Sequence, residues 1–280
     1  MNPSPHHQGR DSTVRAVERA ISILNALSER EPELGVTTLS QRLGLGKSTV
    51  HRLLRALLQG GLVEQNTETE KYRLSIEILQ LAGTVLRQLD DVQQVARPYL
   101  RALADACQET VNLTVLAGDG VLNVGRVPSP RMVRNIGWVG RRMPLHCVSA
   151  GKVFLALMPE AERERLLSQE LVRFTERTIT DPARLRKELE EVRRLGYSVG
   201  LEEMEVGLNA VAAPIRDHRG VVIAAISVSG PSFRITPEEI HSLAALTLQT
   251  ANDISHHLGY SPESEVLIRA DVAPEGGILP

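Results

Sequence analysis

The stretch VTTLSQRLGLGKSTVHRLLRALLQGGLV, which starts at Val36, leaves the chain little freedom in how it folds. Glycines at 44, 46, 60 and 61 divide it, and Val50, Leu53, Leu54, Leu57 and Leu58 fall at i, i+3, i+4, i+7 and i+8. That spacing predicts a helix from Lys47 to Gln59 with one apolar stripe, stopped by Gly60-Gly61. A shorter helix before it, capped by Thr37 or Thr38, would end at Gly44. Opposite the stripe stand Ser48, Thr49, His51, Arg52 and Arg55, with Lys47 in the first turn and no acidic residue on the helix. Two short helices around a glycine turn, the second with a basic outer face, make a helix-turn-helix. Arg52 and Arg55 can reach a guanine edge or a phosphate, and Lys47, Ser48 and Thr49 suit contacts at the helix start. Beyond it, LVEQNTETEKYRLS predicts two short strands around a polar turn. There Tyr72 and Leu74 alternate with Lys71 and Arg73, so one face packs and the other offers cations, as in a wing.

The hexapeptide GLGKST inside this stretch also has the look of a phosphate-binding loop. Such a loop needs a glycine five positions before its Gly-Lys step, so that the backbone can wrap the phosphates. Gln41 occupies that position, and a helix rather than a buried strand precedes it. Nucleotide hydrolysis is therefore set aside.

Composition gives no global sign of nucleic-acid binding: 32 Lys and Arg against 34 Asp and Glu leave a net charge of -2, so any such signal is local. With 280 residues, 42% of them hydrophobic, two ordinary domains can each build a core. The start lacks the apolar core of a signal peptide, and no run approaches the ~20 apolar residues of a membrane span. The two cysteines, Cys107 and Cys147, stand far apart, as expected for reduced thiols in a cytoplasmic protein.

Elsewhere the periodicities are clear. Residues 1–12 are polar and expected to be disordered, and Val14, Val17, Ile21, Leu24 and Leu27 then recur at helical spacing. From Ile76 to Gln108 the pattern is helical, with a break expected near Asp90-Asp91 and a bend at Pro98. VNLTVLAGDGVLNVGRV predicts a hairpin turning at Gly118 to Gly120, and RMVRNIGWVGRRMPL a further extended segment. SAGKVFLALM predicts a buried helix, and DPARLRKELEEVRRLGY an amphipathic one with Asp181 as cap and Pro182 in first position. NAVAAPIRDHRGVVIAAISVSG predicts a second hairpin, and a helix opened by Thr236-Pro237 closes the fold.

Several residues in the second half invite catalytic readings. Ser149 and Lys152 fit S-x-x-K, but the S-D-N and K-T-G elements that accompany it in penicillin-recognising enzymes are missing. His146 beside Cys147 would be a poorly arranged pair if both lie on a strand. A hydrolase using Ser149/Lys152 or Cys147 is the alternative function. The pairs His6-His7 and His256-His257 have no metal-binding spacing, so no metal is assigned. Glu202, Glu203 and Glu205 read as a solvated loop. A binding pocket uses these residues better. VSAG opening a helix offers backbone N–H groups to a carboxylate, and Ser227 and Ser229, two apart, point to one side of a strand.

LSQRLGLGKSTVHRLLRALLQGGLVEQN and YRLS resemble the winged helix-turn-helix of IclR-type transcriptional regulators. The likeness continues through RRMPLHCVSAGKVFLA, RRLGYSVGLEE and AAPIRDHRGVVIAAISVSGP, over residues 13 to 258. The resemblance implies an α+β chain with a DNA-binding domain over 13–75, a linker helix over 76–90 and a GAF-like α/β effector-binding domain over 91–258. A flexible tail would fill 259–280. It also implies a non-enzymatic homodimer or homotetramer, without cofactor, on double-stranded promoter DNA, whose palindromic half-sites lie about one helical turn or a multiple apart. By the same resemblance, a small carboxylate effector would lie between Ser149 and Ala150 at the helix start and Ser227 and Ser229 on the strand, lined by Met143 and Met132. Gly200 stands where the family often has an acid, and Ala210 where some members have cysteine. Those departures leave room for a bulkier, aromatic acid.

Overall fold

The computed structural model describes residues 8–27, 31, 33–135, 139–140 and 142–261. The expected tail beyond 261, His6-His7 and the first seven residues of the expected disordered stretch lie outside them. The chain divides into two compact units, one ending at Gln88 and the other starting at Leu89.

In the first unit α1 (Gln8–Leu27), α2 (Val36–Leu43) and α3 (Lys47–Gln59) pack with the antiparallel pair β1 (Val63–Gln65) and β2 (Tyr72–Leu74). Helix α1 starts within the stretch expected to be disordered. Its buried side is Ile23, Ala26 and Leu27, whereas Val14, Val17 and Ile21 are exposed. Those core residues meet Leu39, Val50, Leu53, Leu54, Leu57, Val63 and Tyr72. Each such side chain, fully buried, contributes roughly 1.5–3 kcal/mol. Leu58, expected in the α3 stripe, is exposed instead. Gly35 caps α2, because Leu34 pairs with Tyr72 and the chain turns into the helix directly from that bridge. Thr37 and Thr38 consequently fall inside the first turn rather than at the cap. Gly44 ends α2 at φ 62, a left-handed conformation that favours glycine.

A single helix, α4 (Ile78–Cys107), replaces the expected broken one and carries Pro98 inside it. Asp90-Asp91 does not interrupt it, since a carboxylate lowers helix propensity only slightly and leaves the backbone N–H available. The second unit is built on six antiparallel strands in the order β5-β4-β3-β8-β7-β6. These are β3 (Thr110–Ala117), β4 (Gly120–Val127), β5 (Arg142–Pro144), β6 (Ser198–Leu201), β7 (Leu208–Arg216) and β8 (Val222–Pro231). Only Arg142–Pro144 of the expected extended segment is strand, and residues 136–138 and 141 of it lie outside the described residues.

Helices cover both faces of the sheet. On one side Leu100, Leu103 and Ala104 of α4 and Ala251 and Ile254 of α8 (Pro237–His257) meet Val111, Leu113, Ala213, Ile226 and Val228. On the other lie α5 (Ser149–Leu157), α6 (Glu160–Leu167), which periodicity did not suggest, and α7 (Pro182–Leu195). Asp181 caps α7, its Oδ1 accepting from the Ala183 N–H at 2.9 Å. Helix α5 is buried along Ser149 to Ala156, and Gly151 lets it approach the preceding segment. A Cβ at Gly151 would stand 2.3 Å from the Leu145 carbonyl oxygen. Gly151→Ala is therefore expected to destabilise the second unit by about 1–3 kcal/mol in chemical denaturation. An unchanged midpoint would contradict this packing.

Candidate DNA interface and effector cavity

Lys47, Ser48, His51, Arg52 and Arg55 are exposed on α3, while Thr49 is half-buried beside them. Gly46 caps the helix without a side-chain hydrogen bond, so no cap takes up the N–H groups of the first turn. The expected face of the reading helix is thus assembled as one polar, cationic surface. The wing is more constrained. Lys71 and Arg73 are both exposed, but Arg73 is paired with Glu64 at 2.5 Å and with Glu33 at 3.4 Å. Glu33 also accepts from Asn66 Nδ2 at 2.7 Å and Thr69 Oγ1 at 2.8 Å, which ties the base of the helical pair to the wing turn. Those hydrogen bonds, with the charges of Arg73 and Lys71, hold its carboxyl below the ordinary range. Much of the wing's charge is spent on its own shape.

In the second unit a cavity of about 80 Å³ lies where the α5 start faces the sheet. Met143, Ser149, Ala150, Gly200, Ala210 and Ser227, all expected at the site, line it. Val148 caps α5 without a side-chain bond, leaving first-turn N–H groups turned towards this end. Gly200 keeps that end open, since a Cβ there would contact the Ser149 N at 3.4 Å. Gly200, Ala210, Ser229 and Thr110 form one register row across β6, β7, β8 and β3.

Two expected lining residues sit elsewhere. Ser229 stands one step behind the wall, its Oγ accepting from Asn112 Nδ2 at 3.3 Å and Asn135 Nδ2 at 2.9 Å. It therefore positions two asparagines that do line the cavity. Met132 is 98% exposed, in the surface turn after β4 that reaches the cavity only at Asn135.

Asn112, Thr114, Asn123, Asn135, Glu203 and Glu205 are the polar lining that the sequence did not reveal. The visible signal was TVNLTV, where Thr110, Asn112 and Thr114 interrupt an apolar run at every second residue. Glu203, read as part of a solvated loop, is buried. Its Oε1 accepts from Lys152 Nζ at 2.6 Å, and Lys152, wholly buried, also donates to Glu188 of α7. Burial pushes the Glu203 carboxyl up, against the pull of Lys152.

These contacts leave the catalytic alternatives without a mechanism. The Lys152 ammonium is held by two carboxylates, so it is not the free base an S-x-x-K serine requires. Cys147 and His146 lie in a turn before α5, not on a strand. His146 Nε2 is 2.9 Å from the Val172 carbonyl, and burial lowers its pKa. Burial, helped by the Glu203 charge, pushes the Cys147 thiol up to about 12, and its Sγ packs 3.5 Å from Met204 Sδ.

Sequence comparison decides the family. The IclR helix-turn-helix domain matches residues 16–67, and the bacterial transcriptional regulator IclR C-terminal domain matches residues 84–256. The chain belongs to the IclR family. It is a DNA-binding transcriptional regulator, from a family of non-enzymes that bind small-molecule effectors. KdgR of Dickeya chrysanthemi is 37% identical over 249 residues, covering 89% of this chain and 81% of that protein. The repressor AllR of Escherichia coli K12 is 37% identical over 246 residues, covering 88% of this chain and 90% of AllR. Among solved structures, an IclR homolog from Microbacterium hydrocarbonoxydans complexed with 4-hydroxybenzoate superposes with a TM-score of 0.73. It is 28% identical, over 87% of this chain and 98% of that one. No helix of the described residues is long and apolar enough to cross a membrane.

A thiol with a pKa of about 12 is on the order of one part in ten thousand thiolate at pH 8. Iodoacetamide at that pH is expected to leave Cys147 unmodified in the native protein, as read by peptide mass spectrometry. Rapid labelling of Cys147 without unfolding would contradict the environment described.

Proposed function

We propose that this regulator acts in the cytoplasm as a homodimer or homotetramer on a roughly palindromic operator. Arg52 and Arg55 of α3 read bases or phosphates, with Lys47, Ser48, Thr49 and His51 around the helix start. The observation that carries the reading is the exposed α3 face, cationic and free of carboxylates, beside an uncapped helix start. Of the wing residues, Lys71 approaches the backbone while Arg73 chiefly holds the wing. The exposed apolar row Val14, Val17 and Ile21 on α1 supports pairing with a second copy, since water is a poor solvent for such a row.

A small carboxylate effector binds in the second unit. Its carboxylate accepts from the first-turn N–H groups at Ser149 and Ala150, with Met143, Gly200, Ala210 and Ser227 as further walls. Ser229 acts through Asn112 and Asn135, and Met132 has no part in the cavity. The small residues at 200 and 210 widen the cavity at that wall, and the 4-hydroxybenzoate of the Microbacterium homolog favours an aromatic acid. The effector biases DNA affinity only by its different affinity for two arrangements of the chain.

Gel shifts with promoter fragments test the DNA reading. Arg52→Ala is expected to weaken operator binding by ~1–3 kcal/mol if it reads a base. If it neutralises a phosphate, the log–log salt slope should flatten by about 0.9 instead. No saturable binding by the wild type at any salt concentration would sink the proposal, and an unchanged Arg52→Ala affinity would remove that residue from it.

A further inference from the structure

Arg97 and Arg101 stand about one turn apart on α4, both exposed, and neither makes a hydrogen bond or ion pair among the described residues. Both line a cavity of about 270 Å³ between α4 and β4, larger than the space of about 80 Å³ at the α5 start. Arg126 of β4 lines it too, and no acidic residue does. The Arg126 Nε is buried without a hydrogen-bond partner, while Nη2 donates to the Asn135 carbonyl at 2.8 Å. Arg134, whose charge adds to burial in lowering the Arg126 pKa, donates to the Ser129 and Arg131 carbonyls and meets no carboxylate among the described residues. By contrast, Arg186, Arg194, Arg219 and Arg234 of the same unit each hold a carboxylate.

The fold keeps this space open. Strand β5 pairs only with Gly120, Val121 and Leu122, so from Asn123 onward the outer edge of β4 has no strand beside it. Gly125 keeps the floor low. A Cβ there would stand 3.2 Å from Leu113 Cβ and 3.8 Å from Leu100 Cδ1, and both leucines line the space. Guanidinium groups gathered without a carboxylate repel one another until an anion joins them. Their planar forks match phosphate oxygens, and a phosphate monoester brings close to two charges and three terminal oxygens. A monocarboxylate offers one charge and two oxygens, and so leaves more of the cluster unanswered. A cavity of this size takes a small molecule rather than a duplex. We propose that the groove between α4 and β4 is a second small-molecule site, for a phosphate monoester held by Arg97 and Arg101, with Arg126 adding its charge. It is separate from the cavity at the α5 start and does not depend on the reading of that cavity.

Calorimetry on the full-length protein with glycerol 3-phosphate, inorganic phosphate and glycerol, at constant ionic strength, tests it. Glycerol 3-phosphate should bind saturably, inorganic phosphate should compete with it, and glycerol should not bind. The double variant Arg97→Gln/Arg101→Gln alters two exposed side chains that have no partners, so the fold should stand, as circular dichroism can check. In that variant glycerol 3-phosphate binding should weaken by about tenfold or more, because charge-assisted hydrogen bonds are lost. In Arg52→Ala, which alters α3 instead, it should be unchanged. Absence of saturable binding, equal affinity in the folded double variant, or loss of binding in Arg52→Ala would each overturn the proposal. A double variant that weakens operator binding and flattens its salt slope, when neither phosphate compound binds the wild type, would assign the arginines to the DNA backbone instead and overturn it as well.

Discussion

A lysine with no exposure to solvent stays charged only if anions are brought to it, and Lys152 is such a lysine. Its two partners come from different parts of the chain, Glu188 from α7 and Glu203 from the loop between β6 and β7. Satisfying one ammonium therefore fixes a helix and a loop against α5. Thr175 and Thr178 reinforce the loop, donating to the Glu202 carbonyl at 2.7 Å and the Glu203 carbonyl at 2.6 Å. The cavity at the α5 start exists because these three elements cannot drift apart. Removing the Lys152 ammonium would leave the buried Glu203 carboxylate without its charge partner, which is why the arrangement is so rigidly specified.

The two units solve different problems with the same kinds of residue. On α3 the first-turn amides and the cations are left uncovered, which suits a large polyanion that arrives from solvent. At α5 the amides face an enclosed space between helix and sheet, which suits one small anion. Neither end has a side-chain cap: Gly46 cannot supply one, and Val148 has no polar group. Of the helix starts without a side-chain cap, that of α3 is open and that of α5 enclosed, a contrast that matches a regulator of DNA with a small-molecule effector.

Legibility in the sequence followed how local each determinant is. The α3 face could be read because a helix sets its own faces, and α3 spans Lys47–Gln59 as its glycines and leucines demand. Gly44, Asp181 and the hairpin turn at Asp217 to Gly220 were legible for the same reason. Leu58 broke the pattern because the stripe is wider than the surface that β1 and α1 offer to cover it. Glu203 could not be read, since its partner Lys152 lies 51 residues away and nothing in the local run distinguishes it from its neighbours. The row Thr110, Asn112 and Thr114 resembles a solvated face until α5 closes over it. Of the residues named by resemblance, Gly200, Ala210 and Ser227 line one cavity, Ser229 holds two of its asparagines, and Met132 stands exposed outside it.

The proposed coupling runs from an acid in the second unit to DNA held by the first. Linkage makes that claim quantitative: the factor by which acid changes operator affinity must equal the factor by which operator changes acid affinity. Both factors can be measured on the same preparation, by fluorescence anisotropy of labelled operator with saturating 4-hydroxybenzoate or lactate, and by acid titration with and without operator. Two equal factors that differ clearly from one are expected. An acid that fills the cavity and leaves operator affinity unchanged would contradict the coupling.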